Sequence, residues 1–556
     1  MVTQGKKPNF LLIVVDDMGY SDCEPFGGEI RTPNLVKLAE EGVRFRHFYT
    51  SSLCAPTRAL LLTGVDNHLN GLGVMPPMHS TNQFMKRGYE GTLNGSVATI
   101  AELLGDAGYF TCISGKWHLG KNAGQRPEDR GFQRVFSFLG GGASHFSDAR
   151  ALAPSEQPHT VYDDDGKDVT HELPDNFYST TFYTEKMIEF LEARPKEKPF
   201  FGYLAYTAPH DPLQVPDEWL DRYSGQYDGG YPAMRMERMR RMKSLGLIRQ
   251  DMELNPGTGQ YENWEDLTDE QKRLQARKME IYAAMIEMVD ESIGKIVEHL
   301  KQTGEYENTI ILFMSDNGAN PKDPHFYSDL TPDEIDEIFD NSWDNLGRVG
   351  SFISIGGAWA EACNTPLSYF KLTTADGGVQ VPLIVSGPGI EQRGIIADQL
   401  LHVTDVLPTL LDYAGAERPE TRNGQRLAPL YGRSWRAFLE MTSRQPIRGH
   451  YDAVGFEMIE CKAVIKGCWK ILFMAPPYGK NEWHLYNLCD DPQELTNVAD
   501  ENPDKLAEML AEWEAYSKAV GYIEASGERV LSTMSPEEFF VRYGHQASPT
   551  PALGDD

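Results

Sequence analysis

The stretch FLLIVVDD, residues 10–17, holds six apolar, β-prone residues in a row and ends in two aspartates. Continuous apolarity without alternation marks a strand covered on both faces, as in parallel sheets. The run is far shorter than the roughly 18 apolar residues a bilayer span needs, and it ends in acid rather than at a small-residue cleavage site. It reads as a buried strand rather than a signal peptide, which implies a cytoplasmic protein with no membrane association.

The pattern recurs along the chain. VRFRHFY (43–49), GYFTCIS (108–114), FFGYLAY (200–206), TIILFM (309–314) and VPLIVS (381–386) are further short β-rich runs. Helical segments fall between them. One helix opens at Thr32-Pro33, with Pro at its first position. In residues 280–301, Ile281, Met285, Met288, Ile293, Ile296, Val297 and Leu300 recur at helical spacing. Alternating β and α predicts an α/β fold, a large mixed, mostly parallel sheet sandwiched by helices. Near residue 430 the pattern changes. CKAVIKGCWKILFMAPP and EWHLYNL read as antiparallel strands, and 504–520 as one amphipathic helix. The expected organisation is a catalytic unit over 1–430, a smaller α+β unit over 431–523 and a C-terminal extension over 524–556.

A chain of 556 residues with 40% hydrophobic content can bury a large core. Its formal charge of −30 argues against a nucleic-acid partner. An anionic substrate would need positive charge gathered locally against that field. Seven cysteines without a CxxC pair argue against a disulfide framework. The basic, Met-rich segment PAMRMERMRRMK (232–243) reads as an exposed helix face.

In an open α/β sheet, ligands bind beyond the carboxyl ends of the strands. Asp16 and Asp17 follow FLLIVV, and Ser315, Asp316, Asn317 and Gly318 follow TIILFM. Three carboxylates and an amide oxygen suit Ca²⁺ or Mg²⁺ and offer no His or Cys to favour zinc. Lys116 and His118 follow GYFTCIS, His210 follows FFGYLAY, and Lys371 precedes VPLIVS. Singly, each of these reads as a cap, a turn or a solvated side chain. Their convergence on one sheet edge gives them weight.

SSLCAPTRALLLTG, residues 51–64, adds Arg58 and a question about Cys54. Pro56 fits the first turn of a helix, so Cys54 stands at a helix N-terminus, where backbone N–H groups would lower a thiol's pKa. A buried hydrophobe, a redox group, a nucleophile or the precursor of another group all remain open from the residues alone.

Cys54-Ala55-Pro56-Thr57-Arg58 followed by Leu62-Thr63-Gly64 resembles the maturation signature of the formylglycine-dependent (type I) sulfatases of the alkaline phosphatase superfamily. The stretch from Gly108-Tyr109 to Gly115-Lys116-Trp117-His118 resembles their second signature. Thr32-Pro33-Asn34-Leu35, Pro209-His210-Asp211-Pro212, Ser315-Asp316-Asn317-Gly318, Leu485-Tyr486-Asn487-Leu488 and Asp491-Pro492 extend the likeness, in order, over most of the chain. It is strongest to bacterial cytosolic arylsulfatases. Thr57 stands where many members have Ser, and the tail beyond about 523 lies outside the match.

The resemblance implies a site and a mechanism. Cys54 is converted to formylglycine by a maturation enzyme acting on the unfolded chain, and one hydroxyl of the aldehyde hydrate attacks sulfur. Asp16, Asp17, Asp316, Asn317 and residue 54 hold Ca²⁺, or Mg²⁺ or another divalent cation. Lys116 and Lys371 bind sulfate oxygens, and Arg58 steadies residue 54. His210, with Lys371, protonates the leaving oxygen. His118 takes the second hydroxyl's proton, so that sulfate is eliminated by C–O cleavage. The substrate implied is a small sulfate ester, most naturally an aryl sulfate. The alternatives are a phosphonate monoester hydrolase or phosphodiesterase with the same nucleophile, and a non-catalytic metal- or anion-binding protein. The loops 75–84, 140–146 and 321–365 would line the alcohol side, with Phe352, Trp359 and Tyr369 as wall or core residues. Oligomeric state is not encoded in any motif.

Overall fold

A computed structural model describes residues 6–152, 160–324 and 331–527. Ten strands form the main sheet: β1 (Asn9–Val15), β2 (Gly42–Tyr49), β3 (Phe110–Lys116), β4 (Arg134–Phe138), β5 (Tyr162–Asp164), β6 (Lys167–Asp168), β7 (Phe200–Ala205), β8 (Thr309–Ser315), β9 (Leu383–Ser386) and β10 (Ile395–His402). Their order is β10-β2-β9-β8-β1-β7-β3-β4-β5-β6. The core β8-β1-β7-β3-β4 is parallel, whereas β9 runs antiparallel to both β8 and β2. The sheet is mixed and mostly parallel, as expected.

The unbroken apolarity of residues 10–15 has a plain cause. Leu11, Ile13 and Val15 enter one core, and Phe10, Leu12 and Val14 enter the other. The first core also takes the buried faces of the helices Pro33–Glu41, Ser179–Ala193 and Asp269–Gln302. The second takes those of Cys54–Thr63, Ile100–Asp106 and Val406–Ala414. The long helix starts at Asp269, well before the apolar spacing becomes visible. A capping box there, Thr268 with Gln271, satisfies the first backbone N–H groups.

After a two-stranded ribbon, β11 (Thr421–Arg422) and β12 (Gln425–Arg426), the chain forms an antiparallel meander. Its strands are β13 (Ala453–Met458), β14 (Cys461–Lys466), β15 (Trp469–Phe473) and β16 (Trp483–Asn487). Val464, Ile471 and Leu485 on one face meet Met509, Trp513 and Tyr516 of the helix Pro503–Val520. On the other, Phe456, Ala463, Ile465 and Leu472 meet Tyr49, Ala375 and Val379 of the larger unit. Both faces are covered.

Two expectations fail. Cys468 and Cys489 form a disulfide, their Cα atoms 5.3 Å apart although 21 residues separate them in sequence. The meander folds them together, and nothing in the local spacing announces it. The Met-rich segment is a helix, Gly230–Leu245, but not merely an exposed face. It buries Met234, Met239 and Met242, and Arg238 is fully buried on Asp22 and Glu29. Trp359 is core, packed on Tyr227, Tyr231 and Trp264, and Phe352 packs on Phe339. Tyr369 is only partly buried. No helix among the described residues is long and apolar enough to cross a membrane.

Candidate active site

The carboxyl ends of β1, β3, β7 and β8 converge as predicted. Lys116 is the last residue of β3, which runs on past Ser114 and through Gly115. Only glycine fits at 115, with φ +111° and a Cβ position 2.0 Å from the Ala205 carbonyl oxygen. Asp17 and His118, just beyond their strands, hold positive φ values of 66° and 60°. Such backbone outliers turn side chains off the strand path and into a site.

Each carboxylate is met by a cation. Lys116 Nζ lies 2.5 Å from Asp16 Oδ2. Lys371 Nζ is 2.7 Å from both oxygens of Asp17. Arg58 donates to Asp316 Oδ2 from Nε at 3.1 Å and Nη2 at 2.7 Å. Its Nη1 reaches the Lys116 carbonyl at 3.2 Å and the Tyr203 hydroxyl at 3.3 Å. Asn317 Nδ2 donates to Asp17 Oδ1 at 2.6 Å, and His210 Nε2 stands 3.5 Å from Asp17 Oδ2. All of these side chains are almost wholly buried. The cations that an anionic substrate needs are gathered here, each one balanced by a carboxylate.

Burial pushes Asp16 upward, but the Lys116 ammonium, with His210 behind it, holds that carboxyl below its ordinary value. Asp17 is held down in the same way by Lys371 and His210. Asp316 goes the other way, raised by burial and by the nearby Asp16 charge. His118 is driven well below its usual range by burial and then by Lys116 and Arg58, so its ring is neutral.

Cys54 opens the helix Cys54–Thr63 as expected. Its thiol pKa is not lowered, however. Burial raises it, and the Lys116 and Lys371 charges only partly offset that. Cys54 Sγ sits 3.3 Å from His118 Nδ1 and 4.0 Å from Met75 Sδ.

The donor set fits a hard cation. Asp16 Oδ1 and Asn317 Oδ1 are buried yet have no hydrogen-bond partner among the described residues. Leaving such atoms unpaired costs about 1–3 kcal/mol each. A divalent ion taking oxygen ligands removes that cost. One oxygen each of Asp16 and Asp17 and a ring nitrogen of His210 lie within 4.8 Å of one another, a group able to hold a metal. Asp316 commits Oδ2 to Arg58 and keeps Oδ1 close to the Asp17 backbone, 3.3 Å from its N.

Several site features escaped the sequence reading. Tyr203 buttresses Arg58 from mid-strand. The loop 140–146 was expected at the alcohol side, but not that its Gly141 and Gly142 lie against His118 and His210, where a Cβ would come within 2.9 Å and 3.0 Å of the rings. Tyr282, from the long helix, donates to the Asp17 carbonyl at 3.1 Å and to Asp22 Oδ2 at 2.7 Å. A tyrosine within an apolar helical stripe carries no signal of that role.

The profile of the family described as Sulfatase matches residues 8–416, most of the chain. The chain belongs to the sulfatase family. A second profile, N-sulphoglucosamine sulphohydrolase C-terminal, matches residues 369–515. This sulfatase is 47% identical over 430 residues to an arylsulfatase of Klebsiella aerogenes, covering 77% of the chain and 91% of the relative. It is 40% identical to an uncharacterized sulfatase of Schizosaccharomyces pombe, covering 96% and 97%. Among solved structures it resembles Ps i-CgsB in complex with k-i-k-neocarrahexaose, with TM-score 0.66, 26% identity and 98% of both chains covered. As a sulfatase, the protein hydrolyses sulfate esters. The family implies a formylglycine and a metal.

Proposed function

We propose that this sulfatase acts on aryl sulfates, with residue 54 as formylglycine and Ca²⁺ held by Asp16, Asp17, Asp316, Asn317 and residue 54. The carrying observation is the placement of residue 54, beside a neutral His118 and within the field of Lys116, Lys371, Asp16 and Asp316. Cys54 is only 2% exposed, so maturation acts on the chain before it folds. When bound, the cation supplies positive charge for the nucleophile and a sulfate oxygen.

The remaining work falls to this chain's own groups. Lys116 and Lys371 shift from their carboxylates toward sulfate oxygens and stabilise charge in the transition state. His210, its Nδ1 2.6 Å from the Asp211 carbonyl, faces the site with Nε2 and delivers a proton to the leaving oxygen. His118, kept neutral by burial and neighbouring cations, removes the proton from the second hydroxyl at position 54. Arg58 locks Asp316 and the floor of the site.

The aryl preference is supported by the arylsulfatase relative and by an apolar rim next to residue 54. Met75, Met78, Ile459 and Tyr478 pack with Leu53, Leu372 and Met458 there. Thioether groups and arenes make favourable contacts. The division near residue 430 gives the larger unit the reacting groups and the smaller one a wall of this rim.

The first test is the mass of the tryptic peptide HFYTSSLCAPTR, residues 47–58. Loss of sulfur and gain of an aldehyde oxygen at residue 54 is the expected result, and an intact thiol in active protein would refute it. Rates on matched 4-nitrophenyl sulfate, phosphonate and diester substrates should favour the sulfate. A preference for a phosphorus ester would overturn the substrate reading.

A further inference from the structure

Lys371 reaches Asp17 from a loop with strained backbone. Tyr369 and Leu372, on either side of it, have φ values of 65° and 82°. Two hydrogen bonds tie this loop to the rest of the site, Lys371 N to the Ala319 carbonyl at 3.1 Å and Leu372 N to that of Ser52 at 3.0 Å. Left-handed conformations at non-glycine residues persist only when the surroundings over-determine them.

Part of these surroundings comes from the C-terminal meander and the turn that follows it. Lys470, on β15, is fully buried, and its Nζ lies 2.5 Å from Asp376 Oδ1 and 2.5 Å from Glu494 Oε1. Glu494 Oε2 accepts from the Asp376 backbone N–H at 2.7 Å, and the Tyr49 hydroxyl lies 3.2 Å from Asp376 Oδ2. The turn carrying Glu494 holds the other end of the loop as well. Ser368 Oγ donates to the Gln493 carbonyl at 2.6 Å, and Gln493 Nε2 donates to that of Pro366 at 3.1 Å. The Cys468–Cys489 disulfide ties the segment entering β15 to the one leading into this turn. On its far side the loop meets the turn after β8, through Gly318 N to the Gly378 carbonyl at 3.2 Å.

We infer that Lys470, with Asp376 and Glu494, is a positioning cluster through which the C-terminal meander sets the Lys371 ammonium in the sulfate site. A buried ion triad is a poor device for stability alone, because apolar residues of similar volume serve as well or better. Its value lies in direction. A lysine gripping two carboxylates holds the loop in one register, while an apolar contact would allow it to slide. Catalytic groups need that precision, since a displacement of about 1 Å can cost on the order of 100-fold in rate. The inference rests on the role given to Lys371 under the proposed function.

The test uses the matured full chain and four variants: Glu494→Gln, Ser368→Ala, Lys470→Met and Lys470→Arg. Glu494→Gln keeps an oxygen for the Asp376 N–H and replaces the charged acceptor facing Lys470 with an NH2 group at nearly unchanged volume. The readouts are KM and kcat on 4-nitrophenyl sulfate and competitive inhibition by inorganic sulfate, with melting curves to verify folding. Glu494→Gln and Lys470→Met are expected to raise KM and the sulfate inhibition constant about ten-fold, with most of the loss recovered in Lys470→Arg. Ser368→Ala is expected to act in the same direction by about two-fold. In a Lys371→Met background none of these should add further loss. If Lys470→Met does not fold, Glu494→Gln and Ser368→Ala carry the test. Unchanged KM and inhibition in those two, or full additivity with Lys371→Met, would overturn the positioning role alone. A Lys371→Met variant with normal kinetics would overturn the site reading and the inference with it.

Discussion

Two buried charge clusters lie close together in this molecule and are built differently. Around Arg238, Nη1 meets Asp22 Oδ1 at 2.6 Å, while Nε and Nη2 meet the two oxygens of Glu29 at 2.7 and 2.9 Å. Asp22 Oδ2 accepts from Gly19 N and Tyr282, each at 2.7 Å, and Tyr227 donates to Glu29 Oε1 at 2.8 Å. Every carboxylate oxygen there has a partner. Around Asp16 and Asp17, three carboxylates face three cations, yet Asp16 Oδ1 and Asn317 Oδ1 accept nothing among the described residues. The two clusters are alike in burial, but one arginine faces two carboxylates in the first and three cations balance three carboxylates in the second. Unsatisfied oxygens, together with a cysteine and a neutral histidine at contact distance, separate a site that does chemistry from one that holds a loop in place.

The contrast can be broken at residue 54. Cys54→Ala should lower turnover by at least about 10⁴-fold while leaving the urea midpoint near wild type, because no fold-holding partner is lost. A modest loss would remove residue 54 from the chemistry. At the other cluster the pattern should invert. Arg238→Met strands two buried carboxylates and is expected to cost about 3–5 kcal/mol in denaturant unfolding. A stability change below about 1 kcal/mol would show that the Arg238 cluster is not structural in the sense drawn here.

A third buried cluster sharpens the comparison by pH. His68 bridges Asp66 at 2.9 Å and Glu457 at 2.8 Å, joining the larger unit to β13. Burial opposes the charged ring, but the two carboxylates win and lift it to about 9. The folded value lies above the ordinary one of about 6.5. Its stabilisation is therefore whole below pH 6.5 and is lost as pH rises toward 9, amounting to a few kcal/mol. Unfolding free energies of wild type and His68→Gln across that window check this, and equal slopes would exclude it. The smallest effect expected is that of the metal. Calcium at 100 times its dissociation constant should stabilise the protein by about 2.7 kcal/mol over a chelated sample, with the gain reduced in Asn317→Ala. No gain in wild type would leave the two unpaired oxygens without a ligand.

Much of the site could be read along the chain because strand ends announce themselves. An apolar run that stops at Asp-Asp, at Ser-Asp-Asn-Gly or at Gly-Lys-Trp-His marks both a strand and what projects beyond it, and the structure brings all ten expected side chains to one edge. The antiparallel course of β9 was not legible, since apolarity reports burial and not direction. Arg238 was misread because helix periodicity counts an arginine as solvent-facing, and its partners lie some 210 residues away in sequence. The thiol of Cys54 was expected to acidify from its place at a helix start, and burial overrode that local effect.

By itself the sequence determined six of the ten strands of the main sheet, the residue types just beyond them and the maturation signature around Cys54, because these depend on local periodicity and spacing. Tertiary structure alone decided which cation faces which carboxylate, which oxygens remain unpaired, that Cys468 meets Cys489 and that Lys470 grips the Lys371 loop. Those outcomes depend on distances between groups far apart along the chain. Such distances are set only when both faces of the sheet have been packed and the buried charges have found one another.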